Sequence, residues 1–505
     1  MFENMSGAFA QLFTLDAAIG LLIGVVGGMI IGALPGLSAT MGIALLIPIT
    51  YGMKPAAAIL MLAAIYTSAV YGGSISAILI HTPGTPSSAA TCLDGYPMTQ
   101  KGQAIHAIGI STTASVIGGI ISSFALLLIA PPLAKLSLNF QSAEYFLIAL
   151  FGLTLIASLA GDNMIKGLIA GAFGLVVGLI GLSADGQTRY TFGITGLLGG
   201  ISLIPAMIGL FSVSQVMIQA DEKGKKKEKA EVAEFKGRFL PTGKEFIRLI
   251  PLILECSVVG VFIGILPGAG GDIASWVGLN LAKNQSKNKE LFGTGIVEGV
   301  AAPEAANNAV TGGALIPLLT LGIPGSSTAA VLMGGLTIHG LAPGFELFSK
   351  YADITYCVIL GFLVANILMG LVGWAAGRYL TKVSLVPIPL LLPCIAVLSL
   401  LGSYAASRNI TDVYIAIVFG FIGFFFRKYG IPTAPVVLAL ILGPMADIHM
   451  YQGGIQAKGV PFFQYLLSRP ISVVFLVLIV LALFAPIVSK IINKKNGIKE
   501  VAEDI

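Results

Sequence analysis

Two pairs of helix-breaking segments, placed alike in the two halves of the chain, constrain its fold more than any other feature. The tripeptide Leu-Pro-Gly ends an apolar run in IGALPGLSAT (31–40) and again in IGILPGAGGD (263–272). A second pair follows, in GGSISAILIHTPGTPSSAAT (72–91) and GGALIPLLTLGIPGSSTAAV (312–331). Proline removes a backbone hydrogen-bond donor and glycine frees the backbone, so both interrupt helices. The pattern predicts hydrophobic helices that are broken at four places.

The spacing of these segments indicates an internal repeat. The first prolines, at 35 and 267, are 232 positions apart. The glycine doublets, which begin at 72 and 312, are 240 positions apart, and the second prolines, at 83 and 324, are 241 apart. Loop insertions account for so small a drift. Interrupted hydrophobic segments at matching positions of two halves are typical of the binding site of a secondary transporter.

The composition excludes a soluble protein. Of the 505 residues, 56% are hydrophobic and 10% are charged, whereas a soluble domain carries about 25% charged residues. Apolar segments in lipid must be helical, because lipid offers no partner for backbone polar groups. We predict an all-α polytopic membrane protein with about ten to twelve spans of about 20 residues, plus the re-entrant, broken hairpins. The clearest expected spans are 15–34, 111–131, 144–160, 167–182, 193–218, 249–266, 354–377, 385–401, 413–426 and 470–489.

A basic stretch at 221–248 divides the chain and predicts its topology. It holds nine Lys and Arg residues, and basic loops stay in the cytoplasm. We therefore predict a first membrane repeat at 1–220, a cytoplasmic linker, a second repeat at 249–489 and a cytoplasmic tail at 490–505. The amino-terminal segment has no Lys or Arg before residue 17, which places it outside. An odd number of spans then precedes the linker, so the two repeats are inverted.

Several function classes lack their signatures here. The chain has no G-x-x-x-x-G-K-[ST] run, no H-E-x-x-H and no G-x-S-x-G, which excludes a P-loop and counts against two common hydrolase types. Its four cysteines form no C-x-x-C pair. The basic linker is interpreted as a solvated loop, without the readout elements of a nucleic-acid-binding surface. We expect a protein that is not an enzyme and needs no cofactor beyond a coupling ion.

The second pair of breaks is the expected anion site. In HTPGTPSSAAT (81–91) the prolines end a helix, and the serines that follow are candidates to cap the next one. Helix N-termini favour anions, so two such tips facing each other can hold a carboxylate. An ordinary turn at the membrane surface is the alternative. The expected substrate-binding residues, including neighbours on the first break and on a polar helix, are Ser38, Thr40, Gly84, Thr85, Ser87, Ser88, Asn307, Asn308, Gly325, Ser326, Ser327 and Thr328.

The Leu-Pro-Gly segments are the expected site of a coupling ion. Asp272 is the only carboxylate in either copy, and an intramembrane acid is costly without a function or a partner. It can bind Na⁺ or carry a proton, with carbonyls of Gly36, Gly268 and Gly270 as further ligands. The alternative, an N-cap on the following helix, has equal weight.

A polar helix face lies between the two breaks of the second half. Pro303 and Glu304 are interpreted as a helix start, and Asn307, Asn308 and Thr311 follow at i+3, i+4 and i+7 on one face. At an offset of 240, the first-half counterparts are Thr67, Ser68 and Tyr71. Ligand contact is favoured slightly over hydrogen bonding between helices.

At these segments the chain resembles the large membrane subunit of the tripartite tricarboxylate transporters (TctA), over nearly its whole length. The segments that carry the resemblance are GALPGLSATMGIALLIPIT, YGGSISAILIHTPGTPSSAATCLDGYPMTQKGQA, GILPGAGGDIASW, EGVAAPEAANNAVTGGALIPLLTLGIPGSSTAAVLMGGL and HGLAPGFELF. The resemblance implies ion-driven import of a citrate-like tri- or dicarboxylate across the bacterial inner membrane by an elevator-like movement. It also implies two partners, a small TctB-like membrane subunit and a periplasmic TctC-like binding protein.

Two alternatives remain open at this point, a carboxylate channel and a stand-alone carrier that needs no binding protein. The sequence names neither the carboxylate nor the coupling ion, because many organic acids present the same group to a helix tip.

Overall fold

The computed structural model describes residues 2–34, 36–154, 164–221, 238–266, 270–383 and 388–495. Within these ranges the chain is helical apart from loops and one small antiparallel hairpin, in which β1 (Gly181–Leu182) pairs with β2 (Thr188–Arg189). The expectation of an all-α membrane protein is therefore met. The expected ion-site residue Gly268 and most of the basic linker lie outside the described residues.

The first half contains ten α-helices among the described residues. A π-helical turn, Ile208–Val213, joins the last two into one segment. The helices are α1 (Phe2–Leu12), α2 (Leu15–Ala33), α3 (Ala39–Leu46), α4 (Pro55–Ile80), α5 (Ala89–Gln100), α6 (Ala104–Leu136), α7 (Ser142–Thr154), α8 (Met164–Gly178), α9 (Leu203–Met207) and α10 (Ser214–Asp221).

The second half contributes eleven further α-helices among the described residues. They are α11 (Gly243–Ile265), α12 (Gly270–Gln285), α13 (Val297–Leu321), α14 (Ser327–Ile338), α15 (Phe345–Ser349), α16 (Ala352–Val383), α17 (Ile388–Ser407), α18 (Ile410–Lys428), α19 (Ala434–Gln456), α20 (Phe462–Leu467) and α21 (Pro470–Lys495). Two expectations need correction here. Helix α11 begins inside the stretch assigned to the linker, and α13 begins at Val297, so Pro303 and Glu304 lie within it rather than at its start.

Eight described helices are long and apolar enough to cross a membrane. Their membership corrects the sequence-based list. The expected span 193–218 begins only at Leu203, because residues 193–202 form a loop with a single 3₁₀ turn, and the list omits two spans, α4 and α19. The eight are Leu15–Ala33, Pro55–Ile80, Ala104–Asn139, Leu203–Asp221, Gly243–Ile265, Ala352–Ala375, Ile410–Lys428 and Ala434–Gln456, and six shorter apolar helices accompany them.

The two halves share one pattern of helix contacts. Helix α2 packs along α4, and α11 packs along α13. A Cβ added to Gly72 would lie 3.1 Å from the Gly32 Cα, and one added to Gly313 would lie 3.1 Å from the Gly264 Cα. The helix backbones cross at these glycines because a side chain at either would collide with the neighbouring helix.

These crossings correct the register of the repeat. Gly72 corresponds to Gly313, at an offset of 241, and not to Gly312, at 240. The sequence misleads because each half has a glycine doublet, and aligning the doublets shifts the helices by one residue. Asn307 therefore corresponds to Tyr66, and Asn308 to Thr67.

The described chain packs as two compact units that do not coincide with the halves. One comprises residues 1–138 and 202–429, and the other residues 139–201 and 430–505. The smaller unit buries Glu144 completely, and Arg469 donates to that carboxylate at 2.6 and 2.9 Å. The larger unit contains all four helix breaks, so the candidate site is built within it.

Candidate functional site

The helices that lead into the two Pro-Gly breaks end in the same way. Helix α4 is followed by His81 at φ 53°, and α13 is followed by Gly322 at φ 71°. These left-handed residues are 241 positions apart, the offset of the helix crossings. A left-handed residue ends a helix and redirects the chain. The following prolines prevent the helix from continuing, so both hairpin tips form where the sequence predicts them.

The first hairpin tip, residues 81–91, is held by its own hydroxyls. The 3₁₀ turn Pro86–Ser88 leads into α5, and its N-cap is Thr85. Ser88 Oγ donates to the Thr85 carbonyl at 2.8 Å, and Ser87 Oγ lies 3.1 Å from Thr85 Oγ1. Ser88 is the N-cap residue of α5, as expected, but its hydroxyl makes no capping bond to α5 and bonds back to Thr85 instead. Thr85 is the N-cap of the preceding 3₁₀ turn, and Ser87 lies within that turn.

The second hairpin tip, residues 322–328, contacts the first half of the chain. Ser326 caps α14 by accepting from the Ala329 N–H at 3.1 Å, and its Oγ also lies 2.7 Å from the Tyr66 hydroxyl. Thr328 Oγ1 lies 2.8 Å from Thr40 Oγ1. These hydroxyls are buried. The tip of the second half therefore meets the broken helix of the first half.

The converse contact, between the broken helix of the second half and the first hairpin tip, is also present. Helix α12, which follows the second Leu-Pro-Gly, packs against the turn Pro86–Ser88 and against α13. A Cβ added to Gly271 would overlap Asn307 Oδ1 and would lie 3.0 Å from the Ser87 Cβ. A Cβ on Gly270 would lie 3.9 Å from the Ser326 Cβ. The start of α12 thus lies beside both hairpin tips.

Asn307 is an orphan in this cluster. Its side chain is only 1% exposed, yet neither its amide nitrogen nor its amide oxygen has a hydrogen-bond partner. Asp272, in the first turn of α12, follows Gly271, whose backbone lies against Asn307. Buried amides without partners are uncommon, because leaving one unsatisfied costs about 1–3 kcal/mol. The unpartnered amide therefore lies against Gly271, the residue before the acid that the sequence singles out.

The other predicted site residues lie at helix starts or at close approaches of the backbone. Ser38 caps α3 by accepting from the Met41 N–H at 3.2 Å, and Gly36, at φ 86°, lies against Gln219 of α10. Gly84 and Gly325 lie where a Cβ would collide with the carbonyls of Gly32 and Gly264, respectively. Ser327 is the first residue of α14 and is half-buried. Among the described residues, no contact joins Gly36 to Asp272, so these two predicted ion ligands are not brought together.

The structure adds a buried acid whose environment the sequence analysis missed. Glu304 is fully buried, and its carboxylate accepts from Thr91 at 2.5 Å, Ser115 at 3.1 Å and Ser111 at 3.4 Å. Asn308 donates to Ser115 Oγ at 2.8 Å. Its side chain therefore joins the network around Glu304 and not the cluster around Asn307. The donors come from α5 and α6, which only the tertiary structure brings to α13. The sequence signal that could have indicated this network is an acid followed by asparagines within a hydrophobic helix.

A second buried acid, Asp94 of α5, fixes the approach to α13. Its Oδ1 accepts the backbone N–H groups of Gly293, Gly295 and Ile296 at 2.9, 2.8 and 3.1 Å. Asp94 therefore ties the first hairpin to the loop before α13 in the second half. In the described part of the chain, no three His, Cys, Asp or Glu residues are grouped as they are in a transition-metal site.

Comparisons with known proteins agree with this architecture. A family model described as "Tripartite tricarboxylate transporter TctA family" matches residues 19–438. An Agrobacterium vitis protein, "Uncharacterized 52.8 kDa protein in TAR-I ttuC' 3'region", is 34% identical over 494 residues, which are 97% of this chain and 98% of the relative. A second Agrobacterium vitis protein, "Uncharacterized protein in TAR-II ttuC' 3'region", is 33% identical over 46% of this chain and 96% of its own length. No solved structure matches the chain.

Proposed function

Because the chain belongs to the tripartite tricarboxylate transporter TctA family, we propose that it imports an organic carboxylate across the bacterial inner membrane. It acts as the large membrane subunit, driven by an ion gradient. Its partners are a small TctB-like membrane subunit and a periplasmic TctC-like binding protein. The substrate class is a citrate-like tri- or dicarboxylate.

One observation carries this proposal beyond family membership. Each hairpin tip contacts the helix break of the other half of the chain. Both contacts lie near the start of α12. Hydroxyls and helix-start N–H groups concentrate there within an otherwise apolar interior. Such donors bind carboxylates without a full positive charge. A solvated turn at a membrane surface would not bury them.

We assign the carboxylate to the two tips. Ser87 and Thr85 donate from the first, and Ser326, Ser327 and Thr328 from the second. Thr40 and Ser38 complete the rim on the first broken helix. Residues Gly84 and Gly325 let the tips approach the neighbouring backbones, and Asp272 is assigned to ion coupling.

The transport mechanism is inferred from the repeated arrangement of the broken helices. We propose that the two halves are inverted and that the hairpins move with their bound substrate in an elevator-like step. A repeated pair of broken helices supports this reading, since many secondary transporters bind substrate between such repeats.

The test is reconstitution of the complete tripartite complex in proteoliposomes. Uptake of labelled tri- and dicarboxylates is measured with an imposed Na⁺ gradient, with an imposed pH gradient, and with neither. We expect saturable accumulation above equilibrium that requires the binding protein. Equilibration without saturation would indicate a channel, and full activity without the binding protein would indicate a stand-alone carrier.

Variants separate the tip from the scaffold. Gly325→Val should abolish uptake, because a side chain there collides with the Gly264 carbonyl and with Ala314. Ser326→Ala should lower the apparent affinity for the carboxylate and leave the protein folded. Normal uptake by Gly325→Val at normal expression would contradict the assignment of this tip.

A further inference from the structure

Arg427 is a cation near the first helix break that the site described above does not use. It lies in the last turn of α18, within the candidate span Ile410–Lys428. Its guanidinium Nη1 donates to Gln215 Oε1 on α10, and among the described residues it forms no ion pair. Charged side chains within membrane spans are costly and commonly mark a substrate or ion pathway.

The neighbouring Lys428 shows how a basic residue at the end of a span is usually arranged. Its side chain is 54% exposed, and its ammonium lies 3.4 Å from the Asp221 carboxylate. A basic residue at a membrane interface extends its charge towards water in this way. Arg427 is half-buried and turns towards an uncharged amide instead. Its position at the end of a span therefore does not explain its direction.

Gln215 lies between Arg427 and the first helix break. Because its amide oxygen accepts from Arg427, its amide nitrogen is free to face the break, and a Cβ added to Gly36 would lie 3.2 Å from that nitrogen. A Cβ at the same place would overlap the amide nitrogen of Gln219, which is one turn further along α10. The side-chain groups that approach Gly36 from α10 are thus N–H donors.

The chemistry of this cluster selects an anion. It combines one guanidinium and two amide groups with the start of α3, where the free N–H groups of a helix N-terminus also favour negative charge. Ser38 is the N-cap of α3, two residues after Gly36. A planar guanidinium forms strong paired hydrogen bonds with a carboxylate. The described residues of the cluster include no carboxylate that could occupy this place.

The cluster adjoins the proposed carboxylate site. Thr40, in the first turn of α3, follows Gly36 by four residues, and its Oγ1 lies 2.8 Å from Thr328 Oγ1 in the second hairpin tip. The first turn of α3 therefore connects the cation cluster with the hydroxyls of the tips.

We propose that Arg427, together with Gln215 and Gln219, binds a second carboxylate of the substrate while the hairpin tips bind the first. The inference rests on the proposed function and deepens it by naming the residue that selects di- and tricarboxylates over monocarboxylates. A monocarboxylate binds at the tips alone and forgoes the charge-assisted hydrogen bonds to Arg427.

The first measurement is ligand binding to the purified full-length protein. Its melting temperature in detergent is followed as citrate, succinate or butyrate is added, at constant ionic strength and constant Na⁺. Succinate and butyrate have the same number of carbon atoms and differ in carboxylate number. A ligand that binds only the folded state raises the melting temperature in a saturable way. We expect citrate or succinate to bind at least about tenfold more tightly than butyrate.

Matched variants locate the second carboxylate. Arg427→Gln should weaken the apparent affinity for the di- or tricarboxylate about tenfold or more and leave butyrate binding unchanged, so the discrimination is lost. Arg427→Lys keeps the charge and should recover part of the discrimination. Lys428→Gln removes the adjacent charge, which is paired with Asp221 at the surface, and should bind all three acids as the wild type does.

Gln215→Glu separates ligand binding from folding. The new carboxylate lies next to Arg427 and pairs with it, so the unliganded protein should melt at the wild-type temperature or higher. The same carboxylate competes with the substrate for the guanidinium and should weaken citrate or succinate binding about tenfold. If Arg427 served stability alone, Gln215→Glu would leave the affinity for these acids unchanged.

The outcomes are distinguishable. A wild-type protein that binds succinate, citrate and butyrate alike, or none of them, would overturn the second-carboxylate site. An Arg427→Gln protein that loses stabilisation by phosphatidylglycerol but keeps its discrimination among the acids would identify a lipid headgroup as the ligand and would also overturn it. Concentrative uptake with wild-type selectivity by the Arg427→Gln complex would refute the site and leave the proposed function standing. Selective binding that depends on Arg427, without uptake by the wild-type complex, would retain the site and refute the function.

Discussion

Thr40 Oγ1 and Thr328 Oγ1 lie 2.8 Å apart although 288 positions separate them in the chain. Both hydroxyls are buried, at 6% and 8% exposure, and each belongs to a helix that starts at a break. The hydrogen bond therefore joins the first broken helix to the second hairpin tip. It is a direct contact between the two halves at the candidate site.

The threonine pair allows a double-mutant test. Thr40→Val or Thr328→Val alone leaves one buried hydroxyl without its partner, which we expect to cost about 1–3 kcal/mol of stability. The double variant removes both polar groups at nearly constant volume, so its loss should be smaller than the sum of the single losses. Melting temperatures in detergent measure this. Strict additivity would mean that the two hydroxyls do not interact.

Adjacent glycines of α2 provide a matched test of the helix crossing. A Cβ on Gly28 would lie 2.9 Å from the Ile65 carbonyl oxygen and 3.0 Å from the Ser68 Cβ, whereas a Cβ on Gly27 would meet nothing within 4 Å. We expect Gly28→Ala to destabilise the protein by about 1–3 kcal/mol through overpacking.

Gly27→Ala is the control for the same helix. It should be neutral or slightly stabilising, because alanine has the higher helix propensity. Equal melting temperatures for the two alanine variants would refute the close crossing of α2 and α4.

Glu304 should contribute to stability through its three hydroxyl donors. Glu304→Ala removes the acceptor of Thr91, Ser111 and Ser115 and leaves a cavity, so we expect a loss of about 3 kcal/mol or more. Glu304→Gln keeps the volume and one carbonyl acceptor, and it should lie between the wild type and Glu304→Ala. A reversed order of melting temperatures would show that burying the carboxylate costs more than its hydrogen bonds return.

Asp94 should control the order of the loop before α13. Asp94→Ala removes the acceptor of three backbone N–H groups, those of Gly293, Gly295 and Ile296. We expect these amides to exchange with solvent deuterium faster, while amides in the middle of α13 stay protected. Asp94→Asn keeps a carbonyl oxygen and should retain most of the protection. Unchanged exchange in Asp94→Ala would mean that the loop is held by other contacts.

The expected topology can be tested by cysteine labelling in intact cells. A cysteine at Glu231, within the basic stretch, should resist a membrane-impermeant thiol reagent. One at Gln187, in the exposed loop that precedes the span Leu203–Asp221, should react rapidly, since a single span separates the two positions. Replacing the exposed Cys394 by serine removes the native background. Labelling of position 231 from outside would refute the inverted arrangement.

The sequence by itself determined the membrane class, the family and the places where the helices break. These properties are local. A run of apolar side chains must be helical in lipid, and proline, glycine and a left-handed cap end a helix wherever they stand. The breaks at Pro83 and Pro324 and the ends of α4 and α13 therefore follow from composition and order alone.

Only the tertiary structure decided which residues meet. The register of the repeat is set by the helix crossing at Gly72 and Gly313, and two adjacent glycines in each half make that register ambiguous in the sequence. The partners of Glu304 on α5 and α6 come from helices that are more than 180 residues away in the chain, and the unpartnered amide of Asn307 depends on how α12 packs against α13. Side-chain contacts at such separations are fixed by how the helices pack, and hydropathy carries no information about them, since every one of these helices is apolar.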